Sequence, residues 1–261
     1  GGVPITPCVG NSSFVITTDS VGGIWAGPAI SLSGEFFPGA VNAGTYTVNY
    51  HYDIGNGCPA DVPVTIEVNP LPTVSAGGNV NVCVNDPAFD LTTGTPVGGM
   101  WSGTGITNPT NGTFDPGLVG NGTYTVTYTY TDGNDCENSD DLVVTVFGLP
   151  TVDAQGDVTY CEVDYDIQLN AASPAGGTWS GTGVVNAFGG LFNIDTAGGL
   201  GTYELYYTYV DNNGCSDIDT IEVTADPVPT IDAGQPDTIC INAGTYTLNN
   251  FSPTGGAWTG S

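Results

Sequence analysis

The chain has 261 residues with no Lys and no Arg, 27 acidic residues and one His, which gives a formal net charge of −27 at pH 7. Ordinary chains carry about a quarter charged residues of both signs. A surface without cations cannot neutralise phosphates or be drawn to anionic membranes, so nucleic acid is excluded as a partner, and with no transmembrane run in the sequence direct membrane insertion of this segment is not expected. A Lys–Asn isopeptide staple is excluded too, and an acidic excess of this size means either a soluble, self-repelling surface or one that takes up divalent cations. The 40 Gly and 18 Pro, with few strong helix formers, point to short strands joined by turns.

One stretch occurs three times and begins a fourth. Its clearest copy runs from Cys83 through Met100-Trp101-Ser102-Gly103-Thr104-Gly105 and Gly122-Thr123-Tyr124-Thr125-Val126-Thr127-Tyr128 to Cys136. Cys8, Trp25, Tyr46 to Tyr52 and Cys58 form an earlier copy; Cys161, Trp179, Tyr203 to Tyr209 and Cys215 a later one; Cys240 and Trp258 open the last. From cysteine to tryptophan the offsets are 17, 18, 18 and 18 residues, the mark of a tandem array. The expected modules are 1–70, 71–148, 149–226 and an incomplete 227–261.

In the first module Phe14-Val15-Ile16 reads as an early strand and Ile24-Trp25-Ala26 as the tryptophan strand. Tyr46, Val48, Tyr50 and Tyr52 alternate with polar residues, the period of a half-buried strand, and Val62, Val64, Ile66 and Val68 close a hairpin. Pro-rich boundaries follow at 69–74, 147–152 and 226–231. Each contains Pro-Thr before Val or Ile, a pair that reads as the start of the next module's first strand, and each is stiff enough to favour a semi-rigid rod. The second and third modules repeat the plan, with about seven strands each and no convincing helix. Trp25, Trp101, Trp179 and Trp258, with Tyr124, Tyr128, Tyr203 and Tyr207, are the expected core.

Cysteine, tryptophan, then a tyrosine strand and a second cysteine resembles the immunoglobulin plan, so the expected fold is all-β: a tandem array of immunoglobulin-like β-sandwich modules. The regular spacing reads as one disulfide per module in an oxidising, extracellular setting: Cys8–Cys58, Cys83–Cys136 and Cys161–Cys215. Cys240 is expected to pair with a cysteine beyond Ser261, the sequence reading as an excerpt of a longer array. Because the second cysteine follows the tyrosine strand, the bridge is expected at one end of the sandwich, from the module's start to the hairpin turn.

Other groups are weighed against plainer roles. Asp132, Asp135 and Asp211 lie in Asp/Asn/Gly loops that could hold calcium, although tight turns demand the same residues. No other cofactor is indicated. His51 falls on a solvent face without an evident partner. Asp140-Asp141 and Asp164/Asp166 are paired carboxylates, but they recur at no common place and nothing supports them as a glycosidase pair. No nucleophile–base arrangement is present, so an enzyme is not expected. The Trp-Ser-Gly-Thr-Gly segment offers an alternative to core packing, stacking on sugars. Asn11, Asn111 and Asn121 begin Asn-x-Ser/Thr triplets.

The strings Gly-Gly-x-Trp-Ser-Gly-Thr-Gly, Gly-Thr-Tyr-Thr-Val-Thr-Tyr, Asp-Gly-Asn-x-Cys and Pro-Thr-Val-Asp-Ala resemble the tandem immunoglobulin/PKD-like repeats of giant Bacteroidota cell-surface adhesins. These include the SprB-type gliding-motility adhesins exported by the type IX system. Residues 76–148 and 151–226 match best; Ala26-Gly27-Pro28 departs from the pattern. The resemblance implies a structural stalk or filament of an extracellular cell-surface adhesin, spacing a tip or mediating attachment and gliding. Its partners would be external surfaces or glycans and neighbouring repeats of the same polypeptide. It also implies O-glycosylation at Asp-Ser/Thr-aliphatic triplets, making Ser20, Thr196, Thr220 and Thr238 candidates. The alternative is that the modules themselves bind a glycan or another surface ligand.

Overall fold

The structure, a computed structural model, describes residues 5–19, 22–53, 55, 58–162, 166–169 and 172–260. The chain divides into two compact units, 1–148 and 149–261. The long strands follow from alternation: apolar side chains at every second position bury one face of a strand and leave the other wet.

The first unit opens with β1 (Phe14–Val15), β2 (Ile24–Ala26), β3 (Glu35–Phe36), a 3-10 turn at Pro38–Ala40, β4 (Gly44–Tyr52) and β5 (Ala60–Val68). β4 and β5 form the long hairpin with β2 on the other edge of β4, and β1 pairs with β3. There follow β6 (Val80–Cys83), β7 (Phe89–Asp90), β8 (Met100–Gly103), β9 (Ile106–Asn108), β10 (Thr113–Phe114), a one-turn helix α1 (Pro116–Val119), β11 (Gly122–Thr131) and β12 (Glu137–Phe147). They make a four-stranded sheet ordered β6-β12-β11-β8 and a three-stranded sheet ordered β7-β10-β9.

The second unit repeats this order with β13 (Val158–Cys161), β14 (Ile167–Gln168), β15 (Thr178–Ser180), β16 (Val184–Asn186), β17 (Leu191–Phe192), α2 (Ile194–Ala197), β18 (Gly201–Val210) and β19 (Ser216–Asp226). Its sheets are β13-β19-β18-β15 and β14-β17-β16. The protein is all-β, built of immunoglobulin-like sandwich modules with seven named strands in each of the second and third.

Each sandwich has its own core. In the second module Trp101, Val126, Tyr128, Leu142 and Val144 from the larger sheet close on Leu91 and Phe114 from the side of the smaller one. Trp179, Leu205, Tyr207 and Val223 close on Ile167 and Phe192 in the third. Trp25, Val48, Tyr50 and Ile66 enclose Phe36 in the first. Burying a large side chain of this kind is worth roughly 2 kcal/mol.

A tyrosine lock holds each tryptophan loop. The Tyr128 hydroxyl donates to the Pro96 carbonyl at 2.6 Å and accepts from the Gly99 N–H at 2.8 Å. Tyr207 does the same with Pro174 and Gly177 at the same distances. Tyr50 accepts from Gly23 at 2.8 Å. The Gly-Gly-x-Trp string is thereby explained: a Cβ on Gly99 would stand 2.5 Å from both the Thr129 carbonyl and the Tyr128 ring. Gly112 is required for a second reason, since its φ of +70° is combined with the Trp101 ring 2.5 Å from any added Cβ.

In all three modules the chain enters parallel to the strand by which it leaves. β6 lies beside the end of β12, Val80 opposite Val144 and Cys83 opposite Phe147. β13 lies beside the end of β19, Val158 opposite Val223 and Cys161 opposite Asp226. In the first module the same contact is made by parallel bridges from Ile5 to Ile66 and Cys8 to Asn69.

Three expectations need correction. The Pro-Thr-Val/Ile segments do not begin a strand; they lead to isolated antiparallel bridges, Ser75 to Thr95, Asp153 to Ser173 and Asp232 to Ser252. Short helices do occur, because Asp115 caps α1 through the N–H groups of Gly117 and Leu118 with Pro116 in its first turn, and Asn193 caps α2. Trp258 is not core: it is 51% exposed, with only the Phe251 ring edge-on at 5.6 Å, whereas Trp25, Trp101 and Trp179 lie 5.1, 4.9 and 5.1 Å from the rings of Tyr50, Tyr128 and Tyr207. No named strand occurs among the described residues of 227–260.

Replacing Tyr128 with Phe keeps the ring and deletes the lock, leaving the Gly99 N–H and Pro96 carbonyl unpaired. The expected loss is about 1–3 kcal/mol in a urea melt of the full chain, with the transition followed by near-UV circular dichroism.

Candidate functional site

The cysteines were expected to join within each module, and they do not. Cys8 is bonded to Cys136, across 128 residues and from the first module to the second. This replaces the expected Cys8–Cys58 and Cys83–Cys136 bridges. Cys83 and Cys215 are each disulfide-bonded, while Cys161 is an exposed free thiol, so Cys161–Cys215 is also incorrect. Cys58 is exposed, and Cys240 is an exposed free thiol.

The parallel entry strand explains the correction. Cys83 sits opposite Phe147 at the far end of β12, whereas Cys136 immediately precedes its first residue. Eleven residues of strand separate those two ends, roughly 36 Å at the usual rise. A disulfide needs Cα atoms within about 7 Å. The same eleven residues separate Asp226, the neighbour of Cys161, from Cys215, and Asn69, the neighbour of Cys8, from Cys58. The first and second cysteines of a module therefore occupy opposite ends of it. The Cys136 end of the second module faces the boundary with the first, where the Asn138 amide donates to the Pro72 carbonyl at 2.9 Å.

Two of the three carboxylates proposed for calcium, Asp132 and Asp211, serve as turn caps. Asp132 Oδ1 accepts from the N–H groups of Asn134 and Cys136 at 2.8 and 3.0 Å, and Asp211 Oδ1 accepts from Asn213 and Cys215 at 2.8 and 2.9 Å. Asp135 has a φ of +61° inside its turn. Partial desolvation pushes the Asp211 carboxyl up, but the N–H groups of Cys215, Asn213 and Gly214 and the Asn213 amide outweigh it and hold the carboxyl below its ordinary value. Asp219 is lowered by the backbone N–H groups of Ala154 and Thr220. Its counterpart Asp140 holds the Ala76 N–H at 2.9 Å. Among the described residues no three His, Cys, Asp or Glu side chains converge as a metal cluster.

Asp140 and Asp141 are adjacent on β12 and therefore face opposite sides of the sheet, Asp141 accepting from the Thr127 hydroxyl at 2.7 Å. Asp164 lies outside the described residues, and Asp166 accepts from the Asn193 amide at 3.0 Å. His51 does have a partner: its Nδ1 is 2.8 Å from Asp61 across the hairpin. Thr196, Thr220 and Thr238 are exposed, and Ser20 lies outside the described residues.

Of the expected core, Trp101, Trp179, Tyr128 and Tyr207 are 3–5% exposed, and Tyr124 and Tyr203 are half-buried. Phe36, Phe114 and Phe192, all fully buried, were missed as core anchors. Their signal was a shared Gly-x-Phe preceding the tyrosine strand. Also unforeseen was a shallow groove over the edge of Trp101, about 170 Å³, with its equivalent over Trp179, about 150 Å³. The second groove carries Phe188, which is 83% exposed, at the position that Thr110 holds beside the first.

No protein-family model matches the chain, and no curated protein matches its sequence. Solved structures to which it is similar include immunoglobulin domains 1–5 of Sidekick-1, at 13% identity and a TM-score of 0.26, covering 84% of this chain and 58% of that one. The human Desmocollin-1 ectodomain is similar at 10% identity and a TM-score of 0.26, covering 88% and 61%. A Ca2+-stabilized adhesin that helps an Antarctic bacterium reach out and bind ice is similar at 12% identity and a TM-score of 0.32, covering 85% and 71%. The chain thus spans less than two thirds of the Sidekick-1 and Desmocollin-1 structures, and scores of this size carry no inference about what it binds.

Because Asp211 and Asp219 have lowered pKa values in the folded chain, their contribution to stability is complete above the unfolded carboxylate range and is lost as pH falls through the folded values. Urea melts of the full chain should therefore weaken between about pH 5 and about pH 2. Asp219→Asn should make that acid dependence shallower, by an amount read directly from the change in midpoint with pH.

Proposed function

We propose that this chain is a load-bearing segment of an extracellular stalk, part of a cell-surface adhesin that holds a tip away from the cell or mediates attachment and gliding. The observation that carries this reading is the parallel pairing of entry and exit strands in every module. When a module's two ends are pulled apart, the entry strand is drawn one way along the sheet and the exit strand the other. The hydrogen bonds between them are then loaded in shear, all at once, rather than unzipped singly. Uniformly buried Trp25, Trp101 and Trp179 fit the same role, since a stalk buries the same ring in every module. A surface with no cations keeps neighbouring filaments apart. The resemblance of the repeat strings to Bacteroidota adhesins supports a surface location, type IX export and glycosylation at Thr196, Thr220 or Thr238.

A second reading is favoured by one observation, the exposed Phe188 at the groove over Trp179. An exposed ring beside a shallow polar-rimmed groove is a platform on which a sugar could stack, and no aromatic residue holds that position in the second module. The two readings separate on a glycan array probed with the full chain and with Phe188→Ala. A stalk segment should give the same background signal for both proteins. Reproducible saccharide binding that is abolished by Phe188→Ala would overturn the stalk reading in favour of the ligand-binding one.

A further inference from the structure

We propose that the Cys8–Cys136 bond is a mechanical bypass that takes the folded bodies of two modules out of the path of tension. The inference rests on the stalk reading and goes beyond it, since the shear contacts would protect each module singly. Cys8 stands at the end of the first module's entry segment, where it bridges to Asn69, and Cys136 stands in the turn that leads into the exit strand of the second module. Follow the covalent chain under load from before Cys8 to Gly148. Force arriving at Cys8 crosses the sulfur bridge to Cys136, runs along β12 and leaves at Gly148. Residues 9–135, with the cores around Phe36 and most of the core around Phe114, hang as a closed loop beside that path.

The consequence differs in kind from a bridge confined to one module. A bridge from Cys83 to Cys136 would have left the first module fully extensible. The observed bond encloses both tyrosine locks and the entry strand β6, while the exit strand β12 stays on the load path, so unfolding of residues 9–135 releases no length to the pulling ends. The hidden length is set by the 128-residue separation: at the fully extended spacing of about 3.3–3.6 Å per residue it comes to roughly 440 Å. The bond also fixes where the load is carried, on a short stretch of backbone and one strand that is hydrogen-bonded along both edges, to β6 and to β11.

The test is single-molecule stretching of the full chain with handles at residues 1 and 148, in oxidised form, after treatment with a phosphine reductant, and as the double variant Cys8→Ser, Cys136→Ser. Oxidised protein should reach a short limit without unfolding steps from residues 9–135, and both other forms should extend about 440 Å further. Release of that length by the oxidised protein would overturn the proposal. Because the double variant could fold poorly, a non-reducing digest with aspartyl- and aromatic-directed proteases is read by mass spectrometry alongside it. The expected product is a Cys8 peptide linked to a Cys136 peptide; a Cys8 peptide linked to Cys58 would overturn the bypass and leave the stalk reading standing. Conversely, saccharide binding through Phe188 would remove the stalk reading while leaving the measured load path intact.

Discussion

The constraint on which the rest of this structure depends is that each module is closed by its entry strand lying parallel to its exit strand. An antiparallel partner could reach the exit strand through a tight turn, but a parallel one must begin at the same end. The chain therefore enters each sandwich at one end and leaves it at the other. That single choice sets the direction in which the closing hydrogen bonds run across the two ends of a module. It also sends the two cysteines of a module to opposite ends, so a covalent bond between them cannot form while the sandwich is folded.

Much of this was legible in the sequence, and the failures have a common cause. The alternation of Tyr124, Val126, Tyr128 and Tyr130 is a local signal, because neighbours on a strand must point to opposite faces, and it placed the long hairpins correctly. The pairing of cysteines is not local. Spacings of about fifty residues give the length of the loop but not whether its ends lie at the same edge of a sheet, and that depends on the parallel register of β6 with β12. Trp258 misled for a related reason: the tryptophan motif is carried by nearby residues, but its burial in the other modules comes from a tyrosine on a strand more than twenty residues later. Gly112-Thr113-Phe114 and Gly190-Leu191-Phe192 read as short strands in the sequence, as they are, but strands of two residues are too short to show by period that Phe114 and Phe192 face the core.

The carboxylates show how an acidic chain folds without cations to pair with. Asp132 and Asp211 hold turn N–H groups, Asp140 and Asp219 hold the N–H groups of Ala76 and Ala154, and Asp115 caps a helical turn. These backbone donors would otherwise lack partners at chain reversals. Aspartate suits the turns because its short side chain accepts from N–H groups two to four residues further along, and the resulting bonds are charge-assisted. The charge of these residues is thus tied to turn and backbone geometry. A turn that uses a carboxylate in this way has fewer free oxygens for a metal, which is why Asp/Asn/Gly composition alone separates the two roles poorly.

What varies between modules is as informative as what repeats. The contacts of Tyr128 and Tyr207 with their proline carbonyls and glycine N–H groups agree to within a tenth of an ångström, and Gly112 and Gly190 both lie against a tryptophan ring. Such contacts are intolerant, since an added Cβ at either glycine would meet the ring. At the mouth of the groove Thr110 and Val97 in one module correspond to Phe188 and Ala175 in the next, with no change in the lock beneath. Interior uniformity preserves a common sandwich, while the exterior carries the differences. A module can therefore change what its surface presents without altering how it is held together, because the side chains at the groove mouth make none of the bonds that join entry strand, exit strand and tryptophan loop.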